Sequence, residues 1–171
     1  MKENNFAVRI YGILINDAGQ VLITDEIFKG KQLIKFPGGG LEYGEGTIEC
    51  LQREGREEMG LKVEVGEHFY TTDFFLPSIF NNNCQVVCIY YRINVADYNL
   101  IKTSQKKFDF PEQKDGAVVF RWVNVKDILS EDFTFENDRR VAKILFEKLM
   151  KGEKCEWSKG RKGEWGNGGI V

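Results

Sequence analysis

Two apolar periods alternate along the chain. From Phe6 to Ile15, one set is Phe6, Val8, Ile10, Gly12 and Leu14, and the other is Ala7, Arg9, Tyr11, Ile13 and Ile15. Both sets are mostly apolar, which predicts a strand covered on both sides. Asn16-Asp17-Ala18-Gly19 is a turn. Gln20 to Ile27 is the returning strand, so the two predict a hairpin. Gln32 to Phe36 is a short strand leading into Pro37-Gly38-Gly39-Gly40, read as a tight turn whose backbone can approach a ligand. The period then becomes helical from Thr47 to Met59. Ile48, Leu51, Gly55 and Met59 form a stripe that should face a core.

Strand patterns return at Lys62 to Val65 and, after a turn at Gly66, at His68 to Leu76, an aromatic-rich stretch that reads as a long strand or a bent pair. Cys84 to Val95 is the clearest strand and Ala117 to Val123 the next. Asn137 to Lys151 is a second amphipathic helix, with Val141, Ile144, Leu145 and Leu149 on one face. The segment from Asp97 to Asp115 is long and polar, a length that in a compact domain is usually functional or mobile. This order of elements predicts an α+β domain, a mixed β-sheet flanked by helices on both faces.

Helix signals frame the first helix closely. Gly46 or Thr47 serves as N-cap, Glu49 lies near the N3 position of a capping box, and Gly60 suits a left-handed C-terminal residue. Within it, Glu54, Glu57 and Glu58 fall at i, i+3 and i+4, so their carboxylates share one face. Like charges at i, i+4 destabilise an isolated helix. A hard cation such as Mg2+ takes oxygen ligands and compensates that charge. A solvated face with Arg53 matched to Glu57 is the blander alternative, but it explains neither the spacing nor the glycines in front.

At these residues the sequence resembles the Nudix hydrolases, whose box reads G-x5-E-x7-R-E-U-x-E-E-x-G-U. Gly39, Glu45, Arg53, Glu54, Glu57, Glu58, Gly60 and Leu61 meet it, and Gly55 departs from it at the first aliphatic position. At about the 7% frequency of glycine for each, seven fixed positions coincide by chance about once in 10^8 starts. The resemblance implies an α/β/α sandwich. It also implies hydrolysis of a phosphoanhydride in a nucleoside diphosphate linked to another group: a nucleoside triphosphate, ADP-ribose or a sugar nucleotide, or a dinucleoside polyphosphate. Mg2+, or Mn2+ in its place, would be held by Glu54, Glu57, Glu58 and the Gly38 carbonyl. One of the three glutamates would act as base, with Glu45 and Arg53 tying loop to helix and Gly39 opening the box. A further loop acid is often used, for which Glu112 and Asp115 are the candidates. Trp122 resembles an aromatic found just after that loop. The other reading of the same fold is a nucleotide-binding sensor without chemistry. The full set of acids and the lack of an attached DNA-binding segment favour the enzyme.

Composition narrows the rest. With 171 residues, 42% hydrophobic and 29% charged, the chain reads as one soluble domain over residues 1–151 with a tail, 152–171. A net charge of −2 does not suggest a polyanion-binding surface as the main function, so a small nucleotide and no nucleic acid is expected as partner. No run spans a bilayer and no signal peptide is apparent, which makes the cytoplasm the default. Cys50, Cys84, Cys88 and Cys155 form no C-x-x-C pair, so zinc is not expected and Cys50 reads as packing. His68 reads as a surface residue. Arg9 reads as a strand-end charge reaching water, or else as a phosphate or base contact. The tail holds Trp157 and Trp165, which could dock on the body or on a partner chain, as in a homodimer. Gly55 is expected to leave a space filled by a Phe from the sheet, so that Gly55→Ala should be neutral or stabilising.

Overall fold

Strand β1 (Asn5–Ile13) has a partner on each side in a four-stranded sheet. It pairs antiparallel with β4 (Gly38–Gly40) and parallel with β6 (Cys84–Val95). Strand β5 (Val63–Thr71) lies antiparallel to β6 at the edge, with irregular register around His68. Strand β2 (Gln20–Phe28) is the centre of a second, antiparallel sheet, between β3 (Lys31–Lys35) and β7 (Val118–Asn124). The computed structural model describes residues 5–152. Cys155 and the tail beyond Gly152 lie outside them.

Two of the turns differ from expectation. Asn16 does organise its turn, its Oδ1 accepting from the amides of Ala18 and Gln20. The hairpin it begins is only a stub, with a bridge from Ile15 to Val21 and a Leu22 N–H bond to the Leu14 carbonyl. Beyond it β1 and β2 part into separate sheets, because each finds two other strands to satisfy its backbone. The second difference is Gly38–Gly40, which is a short strand against β1 rather than a tight turn. A Cβ on Gly38 would meet the Ile10 carbonyl, and its φ of 129° suits glycine alone.

The two apolar sets of β1 serve two cores. Tyr11 and Ile13 join Phe36, Tyr90, Val141 and Leu145 beneath helix α2 (Glu136–Met150). Ile10 and Leu14 join Cys50, Leu51, Val63 and Ile93 beneath helix α1 (Thr47–Glu54). The result is the expected α+β architecture, sheets between helices. On α2 the buried face is rotated from the expected one. Asn137, Asp138, Val141, Ala142 and Leu145 are buried, whereas Leu149 is 40% exposed. The polar pair at the start of that face explains the miss. Tyr90 OH donates to Asp138 Oδ1 over 2.8 Å, and Asn137 Nδ2 also reaches the Tyr90 hydroxyl.

The long polar segment is tied down from inside. Fully buried Asp25 on β2 accepts from Arg121 Nε and Nη2 at 2.8 and 2.9 Å. It also accepts from the Phe108 amide at 2.7 Å, and Phe108 has a φ of 56°. Lys107 adds an ion pair to Glu131 at 3.2 Å. A buried carboxylate without its cation is strongly penalised, so this pair specifies where the segment lies.

Gly55 faces the sheet as expected, but no Phe fills the space. Val63 does, and a Cβ on Gly55 would collide with its Cγ2 and lie 3.1 Å from its Cβ. Val63 is 1% exposed and β-branched, so it has little room to yield. The expectation for Gly55→Ala is therefore reversed. Overpacking costs roughly 1–3 kcal/mol and the gain in helix propensity returns about 0.8–1 kcal/mol. Urea unfolding should show Gly55→Ala destabilised by up to about 2 kcal/mol. In a Val63→Ala background the same change should turn favourable. Additive effects of the two substitutions would show that Val63 is not the obstacle.

Asp138 carries a second expectation. Burial pushes its carboxyl up to about 7, against the Tyr90 hydrogen bond and the more distant Lys35 that pull it down. The folded state then holds a proton that the unfolded chain has already released. Its contribution to stability is full below the usual carboxylate range and is lost as pH rises through about 7. Asp138→Asn, neutral at every pH, should flatten the fall in melting temperature between pH 5 and pH 8. An unchanged slope would place that pH dependence elsewhere.

Candidate active site

Helix α1 starts at Gly46, whose amide donates to the Glu49 carboxylate, half of a capping box because Gly46 has no side chain. The helix does not run regularly to Met59 as expected. From Gly55 to Met59 it widens into a single π-turn, with the Gly60 N–H bonded to the Gly55 carbonyl as well as to that of Arg56, and the Leu61 N–H closing the cap on Gly55 at 3.2 Å. Gly60 ends it at φ 68°. Such turns occur often at functional sites. This one sends two neighbouring carboxylates different ways: the Glu57 side chain is 58% exposed, and Glu58 is turned inward.

Arg53 gathers the outer carboxylates. Its Nη2 and Nε donate to the two oxygens of Glu45 at 2.8 and 3.1 Å. Its Nη1 donates to Glu54 and Glu57 at 3.0 and 3.1 Å, and Nη2 reaches the Gly40 carbonyl at 3.0 Å. The loop, β4 and the helix are thereby joined through one planar group. The Arg53 hydrogen bonds, helped by the Glu42 amide, hold the Glu45 carboxyl down at about 2. Gly39 is needed here because a Cβ at that position would strike the Glu54 carboxyl group. Cys50 is fully buried, its thiol pushed up to about 12 chiefly by burial, as a packing residue should be.

A second cation holds the inner carboxylate, and it is one that pattern reading passed over. Lys35, the last residue of β3, is 2% exposed. Its Nζ donates to the Gly38 carbonyl at 2.8 Å and lies 3.2 Å from Glu26 Oε2 and 3.8 Å from Glu58 Oε1. Burial opposes its charge, but Glu58, Glu26 and Tyr11 outweigh that and keep its pKa above the usual lysine value. Burial raises the Glu58 carboxyl, and Lys35 offsets only part of this. The sequence signals were a lysine directly after the apolar pair Leu33-Ile34 and a glutamate directly before the apolar pair Ile27-Phe28, each at a strand position flanking buried residues.

Arg9 is not at a strand end. It sits on a central strand opposite Gly40, with Nε donating to Tyr11 OH at 2.7 Å and its guanidinium carbon 5.7 Å from the Tyr11 ring centre. The loop acids face other partners. Glu112 pairs with Lys114 at 2.7 Å, and Asp115 accepts from the Gly30 amide in the β2–β3 turn. Trp122 packs edge-on to Tyr98. His68 is exposed, bonded to Thr71.

Among the described residues no three His, Cys, Asp or Glu side chains converge as a ready metal cage. The chain's own cations divide the helix carboxylates instead, Glu54 and Glu57 on Arg53 and Glu58 on Lys35. The donors nevertheless suit a hard cation. All are oxygens, and Glu58 Oε2 is buried with no hydrogen-bond partner. A small cleft lined by Gly38, Glu54 and Glu58 beside Leu51, Met59 and Ile93 adjoins them.

The family model described as NUDIX domain matches residues 5–144. An RNA pyrophosphohydrolase of Pseudoalteromonas translucida is 28% identical over 170 residues, 90% of this chain and 92% of that one. One of Pseudomonas fluorescens is 31% identical over 148 residues, 81% of this chain and 90% of that one. In structure, the MutT protein from Methanosarcina mazei superposes with a TM-score of 0.61 at 21% identity, over 90% of this chain and 99% of that one, a likeness of fold. The intact acidic box on this fold, together with these matches, means that the chain belongs to the NUDIX domain family and is a Nudix hydrolase of the pyrophosphohydrolase class.

Proposed function

We propose that residues 1–151 form an Mg2+-dependent enzyme that cleaves a phosphoanhydride in the 5′-terminal phosphate chain of an RNA. The observation that carries the reading is the set of three carboxylates on one stretch of helix, two gathered on Arg53 and the third on Lys35. The relatives named RNA pyrophosphohydrolase support the substrate. It brings in a nucleic acid where composition alone pointed to a free nucleotide.

When bound, Mg2+, or Mn2+ in its place, neutralises phosphate oxygens and makes the attacking water more acidic. Glu54, Glu57, Glu58 and the Gly38 carbonyl would hold it. Of the three glutamates, Glu58 best suits the base, because burial raises its affinity for a proton and its Oε2 has no other partner. Glu45 and Arg53 fix the helix against the glycine strand and so set where that oxygen lies. Arg9, oriented by Tyr11, offers a guanidinium to a phosphate or a base.

Turnover of a 5′-triphosphorylated RNA oligonucleotide, and separately of nucleoside triphosphates, is the direct test. RNA should be the better substrate, and activity should vanish with a chelator. Preference for a free nucleotide would overturn the substrate, and tight binding without turnover would make the chain a sensor. Glu57→Gln and Glu58→Gln should each lower turnover by roughly a hundredfold or more, about 3 kcal/mol of barrier, with the melting temperature kept. Wild-type rates in both at saturating Mg2+ would remove the metal reading. Alanine at Glu112 or Asp115 should leave metal dependence near wild type, since Glu112 is paired with Lys114 and Asp115 with the Gly30 amide of the β2–β3 turn. A clear change would bring the loop into the site.

A further inference from the structure

Lys35, 2% exposed, is too deeply buried to touch a substrate. What surrounds its ammonium is three oxygens: the Gly38 carbonyl, Glu26 Oε2 and Glu58 Oε1, at 2.8, 3.2 and 3.8 Å. Carboxylate, carboxylate and main-chain carbonyl are the donors a hard divalent cation takes. Two of the three also belong to the set that would hold the catalytic ion. Glu58 spans both environments, with Oε1 toward Lys35 and Oε2 buried and unpartnered.

Charge balance points the same way. Glu26, Glu45, Glu54, Glu57 and Glu58 bring five negative charges to the site, and Arg9, Lys35 and Arg53 bring three positive ones. The remainder of two is neutralised by one divalent ion. Without Lys35 the deficit would be three, more than a single such ion supplies, and an oxygen-lined position would stand open beside Glu58.

We propose that Lys35 is a built-in cation that takes the position of a divalent ion between Gly38, Glu26 and Glu58, so that the substrate-free protein binds a single metal ion through the remaining oxygens of Glu54, Glu57 and Glu58. Lys35 thereby acts as a positioning residue: it pins Glu58 by one oxygen and presents the other. The proposal rests on the metal-dependent reading above, and its test separates the two.

Bound Mn2+ can be counted by electron paramagnetic resonance in the intact chain without substrate. The wild type should bind one ion, and Glu57→Gln should weaken it. Lys35→Ala removes the charge and leaves room, so it should bind one ion more, and Mn2+ should raise its melting temperature further than the wild type's. Lys35→Arg, which keeps the charge, should return the count to one. Lys35→Met removes the charge but fills the space; its single ion should bind about tenfold tighter, because a nearby positive charge is gone. This variant also serves if Lys35→Ala does not fold. If Lys35→Ala and Lys35→Met bind Mn2+ with wild-type number and affinity while Glu57→Gln weakens it, the Lys35 proposal falls and the metal site stands. If neither the wild type nor any Lys35 variant binds Mn2+, both fall.

Discussion

Crowding of like charge on one turn of helix is the constraint to which the rest of this molecule answers. Glu54, Glu57 and Glu58 cannot face one another unscreened in a half-buried place. The fold meets this with two cations from different directions. Arg53 comes from the same helix and reaches outward, while Lys35 comes from β3 and reaches in from below. Each also bonds a carbonyl of the glycine strand, Gly40 for Arg53 and Gly38 for Lys35. The helix and the strand are therefore held in register by the same groups that hold the acids apart.

The glycines make this possible by what they omit. At Gly38 and Gly39 a methyl group would press on the Ile10 carbonyl and on the Glu54 carboxyl. At Gly55 it would press on Val63. The first two let an acidic helix lie directly on backbone, and the third lets the helix widen into its π-turn over β5. Binding function and close packing therefore draw on the same shortage of side chains.

The longer strands and both helices were legible because their apolar periods are long and clean, as in Cys84–Val95, whereas the all-glycine β4 has no period to read. The acidic helix was legible because its spacing is chemically loaded. Pairing was not: nothing local in Phe6–Ile15 says that β1 prefers β4 and β6 to the strand that follows it. Leu149 misled because Asn137 and Asp138, polar by type, take buried places on α2 that a hydrophobic count assigns to others. Arg9, Glu26 and Lys35 were unreadable as a group for a related reason. They lie on three strands, and only the folded sheets bring Lys35 to Glu26 and Glu58, and Arg9 within electrostatic reach of Glu26. The alternation that correctly makes those segments strands also makes a lone charge look like an edge.

The parting of β1 from β2 has a consequence for how the chain is made. The parallel partner of β1 is β6, whose pairing runs from Cys84 opposite Asn5 to Arg92 opposite Ile13. During synthesis the glycine strand and the acidic helix therefore leave the ribosome well before the strand that completes their sheet. Until then β1 keeps one hydrogen-bonding edge open, with apolar residues on both faces. Such long-range pairing slows folding and prolongs exposure. The ion pairs of Arg53 with Glu45 and Glu54 join residues close in sequence, so they can form early and hold the nascent segment compact while it waits. The site's electrostatics would then double as a local folding scaffold.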